Sequence, residues 1–112
     1  MPVDILFRTT RLAKACNAST ERVREFGPER AKRLGLRLDQ MRASETLSTF
    51  RAVHPRCHRL TEDRAGQWSA DLDGPYRLVF EIADDPIPVD DRGNIDLTAV
   101  RKVRITDVAD TH

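Results

Sequence analysis

The sequence lacks the features that would send it to a membrane, an export route or a metal site. No apolar run approaches the roughly 20 residues that a bilayer-spanning helix needs. The opening Met1-Pro2-Val3-Asp4-Ile5-Leu6-Phe7-Arg8 has no basic flank, long apolar segment or cleavage site, so a cytoplasmic location is expected. Its two cysteines, Cys16 and Cys57, are expected to be reduced there. There is no internal repeat, low-complexity tract, phosphate-cradling glycine loop, Ser/His/Asp arrangement or HExxH. His54-Pro55-Arg56-Cys57-His58 has the look of half a zinc site but lacks a second ligand pair. The aspartates between Asp84 and Asp96 lack the glycine and glutamate order of a calcium loop. No metal and no cofactor are expected.

What is present fits one globular domain, residues 1–112, with a single modest core. A hydrophobic share of 39% beside 33% charged residues excludes a disordered chain. The net charge of +1 conceals an asymmetry. Residues 1–64 hold 14 Lys+Arg against 8 Asp+Glu, and residues 65–112 hold 5 against 10. Either the first half meets a polyanion or its helices carry solvated basic faces.

The chain is organised around residues 57–82. Trp68, Ala70 and Leu72 alternate with Ser69, Asp71 and Asp73; Tyr76, Leu78, Phe80 and Ile82 alternate with Arg77, Val79 and Glu81. That period of two predicts half-buried strands, and Asp73-Gly74 predicts the hairpin turn between them, loosened by Pro75. A shorter strand near Cys57–Leu60 leads in. Val3–Phe7 reads as a first strand, with Thr9 or Thr10 capping the helix that follows. Leu12, Cys16, Ser19, Val23 and Phe26 form one core-facing stripe, which Asn17-Ala18-Ser19-Thr20 can interrupt, with Ser19 or Thr20 recapping the helix. Gly27-Pro28 separates this helix from a second, whose stripe is Ala31, Leu34, Leu38 and Met41. A short helical turn at Glu45–Phe50, a surface loop between Ala83 and Leu97, and a last strand at Ala99–Val108 complete an α+β expectation: two N-terminal helices packed on a small, mainly antiparallel twisted sheet.

Two stretches carry a resemblance. His58-Arg59-Leu60, then Asp63-Arg64-Ala65-Gly66-Gln67-Trp68-Ser69, and Gly74-Pro75-Tyr76-Arg77-Leu78-Val79-Phe80-Glu81 resemble the RelE/ParE superfamily of bacterial toxins. The branch most similar is the HigB-type, or plasmid maintenance killer, group of type II toxin–antitoxin systems. The similarity runs from about residue 4 to Asp110-Thr111-His112, where that group ends in Asp-Tyr-His. It implies a RelE-like fold, ribosome-dependent mRNA cleavage that inhibits translation, and a cognate antitoxin, a small helix-turn-helix protein, as partner beside the ribosome and mRNA.

Metal-free RNA cleavage requires a base for the ribose 2′-OH, a cation for the phosphorane-like charge and an acid for the leaving 5′-oxygen. By the resemblance, His58, Arg77 and His112 match the family's catalytic positions. Its lysine position falls at Thr61 and its tyrosine position at Thr111. Threonine is uncharged and cannot stack on a base as tyrosine does. Arg56, Arg59 and Arg64 are candidates to line an RNA groove. Three functions stay open: a translation-dependent endoribonuclease, a binding module of the same fold whose nuclease activity has decayed, and a ParE-like gyrase poison.

Overall fold

Strand β1 (Asp4–Phe7) ends where Thr9 turns the chain into helix α1 (Thr10–Asn17), its Oγ1 accepting the Leu12 N–H at 3.0 Å. In the computed structural model, which describes residues 2–60 and 66–110, the single stripe expected along the first helix does not form. The interruption expected within Asn17–Thr20 occurs at Ala18, at φ −104° and ψ 124°, but neither Ser19 nor Thr20 caps the restart: α2 (Ser19–Phe26) begins after Ala18 with no side-chain cap, out of phase with α1. Cys16 is fully buried, but Ser19 is exposed and Val23 is 47% exposed. Arg22 steadies the break by donating from Nη1 to the Cys16 carbonyl at 2.6 Å, a last-turn acceptor that would otherwise lack a partner. Gly27 joins α2 to α3 (Pro28–Ala43) at φ 80°, which a residue with a Cβ adopts only under strain, and Pro28 opens α3 where its missing N–H costs nothing. Ala31, Leu34, Leu38 and Met41 of α3 are all buried, as their spacing predicts. Gly35 lets α2 approach: a Cβ there would sit 3.2 Å from the Arg22 guanidinium. Thr46 caps α4 (Leu47–Val53), which runs three residues past the turn expected at Glu45–Phe50.

The strands that follow are β2 (Cys57–Arg59), β3 (Gln67–Asp73), β4 (Tyr76–Ile82) and β5 (Lys102–Asp110), in the spatial order β1-β5-β4-β3-β2. Only the β1–β5 pair is parallel; the others are antiparallel. The class is therefore α+β, with four helices among the described residues where two N-terminal helices and a short helical turn were expected.

Two bulges bring the apolar residues into line. A plain two-residue turn would pair Asp73 with Tyr76 and then set Leu72 against Arg77, mixing the faces. A shift between Asp71 and Asp73 instead pairs Asp71 with Arg77, Ala70 with Leu78 and Trp68 with Phe80. The register between β4 and β5 shifts at Val79/Phe80, leaving Thr106 as the extra residue and placing Val108 opposite Leu78.

The core lies between the helices and one face of the sheet. Phe50, Phe80, Leu34, Leu38, Met41, Leu47, Leu78, Val103 and Ile105 are fully buried. The thiols of Cys16 and Cys57 belong to this core, where burial pushes the first up to about 11 and the second up to about 12; both are un-ionised near neutral pH. Val79, on the opposite face, is also fully buried, beside Ser69 and Thr106, so that face is not uniformly solvated as the alternation suggests. Thr106 donates to the Val79 carbonyl and accepts from Gln67 Nε2, each at 3.3 Å.

The segment between β4 and β5 packs more closely than a surface loop. Leu97 and Val100 carbonyls accept the first N–H groups of α4, and Val100 is fully buried. Its aspartates serve the backbone: Asp84 accepts from Arg101 and Lys102 N–H groups, Asp90 from those of Arg92 and Asn94, and Asp96 from that of Thr98. No helix among the described residues is long and apolar enough to cross a membrane.

Phe80→Ala should lower unfolding free energy by about 3–5 kcal/mol through lost transfer energy and the cavity left behind. A urea titration checks this, with the midpoint falling at unchanged m.

Candidate nucleic-acid interface

The alternation of side chains across β3 and β4 assigns each polar residue to a face. Ala70 and Leu78 point to the helices, so Asp71, Arg77 and Ser69 point to the helix-free side. His58, paired with Ser69, lies on that side too and is exposed. His58 and Arg77 thus share a face, two strands and one pair step apart, about 12 Å by sheet spacing. Arg59 follows His58 with the opposite orientation and is exposed on the helix side, in register with Trp68. Arg51, from α4, sits between: its guanidinium lies 5.3 Å from the Trp68 ring centroid and donates to the Cys57 carbonyl. His112 and Arg64, with Thr61 and Thr111, lie outside the described residues.

Arg77 is held fast. Its side chain is 14% exposed, with Nε 2.8 Å from Asp71 Oδ1 and Nη1 donating to the Gly74 and Tyr76 carbonyls at 2.9 and 3.1 Å. The other Asp71 oxygen takes the Nε–H of Arg56, whose side chain is 72% exposed. Arg56 and Arg77 therefore flank one carboxylate, one arginine reaching into water and the other fixed beneath it.

Three further arginines come to the same place from α3. Arg30, Arg33 and Arg37 recur at three and four residues, so they lie on one face of the helix. Arg37 Nε donates to the Asp71 carbonyl at 3.0 Å and Arg33 Nη1 to the Leu72 carbonyl at 3.2 Å. Arg30 lies 3.6 Å from the Asp73 carboxylate, with its guanidinium 3.5 Å from the centroid of the Tyr76 ring. Burial, reinforced by the charge of Arg33, lowers the pKa of Arg37 from its usual value, and Asp71 opposes the shift.

His54 closes the inner side of this group. It is 9% exposed, its ring is 5.9 Å from that of Phe50, and its Nε2 has no hydrogen-bond partner. Burial foremost, then the charge of Arg37, lowers its pKa, so the ring is neutral near pH 7; Asp71 opposes this and Arg56 adds to it.

Of the sequence candidates, Arg77 and Arg56 meet on Asp71, His58 shares their face of the sheet about 12 Å from Arg77 by sheet spacing, and Arg59 lies on the other face. His54 stood out in the sequence only as part of an incomplete zinc half-site, and Asp71 and the α3 arginines were not read as site residues. Their spacing on α3 was the only visible signal, and solvated helix faces look the same. Among the described residues no group of three or more His, Cys, Asp or Glu side chains is placed to hold a metal ion. The arrangement can hold anions and orient a phosphate. Set against protein-family models and curated proteins, the chain matches none.

Asp71→Asn, which leaves Arg77 largely buried and unpaired, should cost roughly 1–3 kcal/mol, read from urea midpoints. A second test concerns pH. The unfolded chain takes up the His54 proton first as pH falls below 6.5, so this residue's share of stability is full above that pH and lost beneath it. His54→Phe should flatten the stability profile as pH falls below about 6.5.

Proposed function

We propose that this chain is the toxin of a type II toxin–antitoxin pair, of the RelE/ParE superfamily and its HigB-type branch, and that it cleaves mRNA on the ribosome. The observation that carries the proposal is the common face of His58 and Arg77, with Arg56 beside them on Asp71. Further support comes from the element order: a helical half, the Gln67–Asp73 and Tyr76–Ile82 strands, then a terminal strand, which is the order on which the resemblance rests. A RelE-like placement of the helices is part of the proposal.

In this scheme Arg77 contacts the scissile phosphate. Its fork is already oriented by Asp71 and two carbonyls, so little side-chain entropy is lost on binding. Exposed Arg56 takes an adjacent phosphate. His58 accepts the 2′-OH proton and His112 donates to the leaving 5′-oxygen. With threonine at positions 61 and 111, one cation and one stacking ring of the family pattern are missing, and the ribosome compensates by positioning the mRNA. The antitoxin is the partner that holds this activity off.

A second reading has an observation of its own. Asp71 occupies the guanidinium meant for phosphate, and together with the two threonines this fits a RelE-fold binding module whose nuclease activity has decayed.

Expression without the antitoxin, followed by mapping of mRNA ends, separates the two. Codon-phased cuts that vanish in Arg77→Ala, with the fold intact by circular dichroism, support the nuclease. Uncut mRNA, with cutting restored by Thr61→Lys plus Thr111→Tyr, supports the decayed module. Uncut mRNA with chromosomal breaks instead identifies a gyrase poison.

A further inference from the structure

The Asp71 carboxylate grips its two arginines on the outer side; behind the same residue, toward the core, lies His54. This histidine ends α4, its N–H bonded to the Phe50 carbonyl at 2.8 Å. Its ring is 9% exposed and packs against that of Phe50. Hydrogen bonding to the Asp71 backbone holds one side of the ring, while Nε2 is buried with no partner among the described residues. A neutral imidazole tolerates this arrangement, because one of its nitrogens carries no hydrogen. An imidazolium does not. Both nitrogens become donors, and the second is then part of a buried charge with no acceptor.

The charged groups around the ring decide what a proton does there. Arg37 faces it from α3, Asp71 from β3, and Arg56 from the connection between α4 and β2. Arg51, on the ring's own helix, is turned toward the Cys57 carbonyl and the Trp68 ring. Two guanidinium groups therefore oppose a charge on His54, and the one carboxylate beside them is already held by Arg77 and Arg56. A charged ring is better placed in water than in this pocket. Only Pro55 separates His54 from Arg56, so outward movement of the ring carries Arg56 with it. Arg56 meets Asp71 twice: its Nε–H donates to the carboxylate, and its carbonyl accepts the Asp71 N–H at 3.4 Å. Pro55 and Arg56 are already exposed, so the movement disturbs little of the core.

We infer that His54 is a positioning residue for the Arg56–Asp71–Arg77 group, and that its protonation opens the 54–56 connection and loosens the grip of Asp71 on both arginines. The inference deepens the proposed function by giving the phosphate-contacting pair a built-in acid switch, and it rests on that reading for the role of the pair. With the ring neutral, Arg56 and Arg77 stay on either side of one carboxylate; in acid they separate. The sign follows from burial. An opened, hydrated ring takes up its proton near pH 6.5, and the closed ring, disfavoured by burial and then by Arg37, only at lower pH. The ratio of open to closed forms is therefore level above about pH 6.5 and rises beneath it by up to about tenfold per pH unit.

Hydrogen exchange on the full chain, followed by NMR, tests this without any substrate. Two protons report on the opening: the Asp71 amide, which leaves the Arg56 carbonyl, and the Arg77 Nε–H, which leaves the Asp71 carboxylate. Each rate is divided by that of His54→Phe at the same pH, which cancels the intrinsic pH dependence of exchange and leaves the effect of the ring proton. Should His54→Phe fail to fold, His54→Gln supplies the reference. Both ratios should stay level above about pH 6.5 and climb beneath it by up to about tenfold per pH unit. The opening is local, so both protons should exchange at rates indifferent to low urea, whereas the Phe80 amide, which waits for global unfolding, speeds up with it. Ratios that stay level from about pH 8 to about pH 5 overturn the inference. So does a climb that shares the urea response of the Phe80 amide, or one at Asp71 that never reaches Arg77. Level ratios beside codon-phased mRNA cuts remove the switch and leave the nuclease. Climbing ratios beside uncut mRNA remove the nuclease and leave the switch.

Discussion

At the end of the β3–β4 hairpin one residue takes four arginine and backbone contacts at once. The Asp71 carboxylate receives Arg77 on one oxygen and Arg56 on the other, its carbonyl receives Arg37, and its N–H donates to the Arg56 carbonyl. Helix α3, the segment before β2, and β4 are thereby tied to a single position of β3. The Arg77–Asp71 pair is largely shielded from water, so each partner depends on the other to offset the cost of burial. The same pair makes the candidate site rigid: Arg77 is a positioned donor rather than a mobile surface side chain. It also sets a competition, because any phosphate must share Arg77 with a carboxylate already there.

This pairing was hidden in the sequence, although both residues sit in its most legible stretch. The strands, the turn at Asp73-Gly74 and the core faces of Trp68, Ala70, Leu72, Leu78 and Phe80 follow from alternation alone. Which residue of β3 opposes Arg77 depends on a bulge, and a bulge has no local signature beyond the need to keep two apolar faces matched. The α3 stripe was equally plain, since Ala31, Leu34, Leu38 and Met41 repeat with the helical period. The stripe through Leu12 and Val23 failed because Ala18 interrupts the helix and resets its phase. The polar stretch Asn17–Thr20 marked where the helix could break, but periodicity counts residues and does not show how far a restart turns the stripe.

The polar residues were least legible. Arg30, Arg33 and Arg37 look like the basic side of any amphipathic helix. Only the close approach of α3 to the hairpin end turns three solvated charges into neighbours of Asp71, Asp73 and Tyr76. The aspartates between β4 and β5 have the opposite history. Read in sequence, Asp84, Asp90 and Asp96 suggest cation ligands lacking a motif. In the fold their oxygens accept backbone N–H groups, so these three acids serve turn geometry. Charge counts by segment therefore mark where to look but not what the charges do.

The parallel pairing of β1 with β5 joins residues 4–7 to residues 102–105, nearly the whole described chain apart. Contacts of such long range make folding slow, because loop closure comes before the reward. While the protein is being translated, the first strand has no neighbour, and β4 keeps an open edge until β5 emerges. The finished sheet, and with it the apolar shelter for Leu34 and Leu38, forms only after nearly all of that chain has left the exit tunnel. The nascent helical half must wait in an unfinished state, exposing its apolar stripe to chaperones or to any protein ready to cover it.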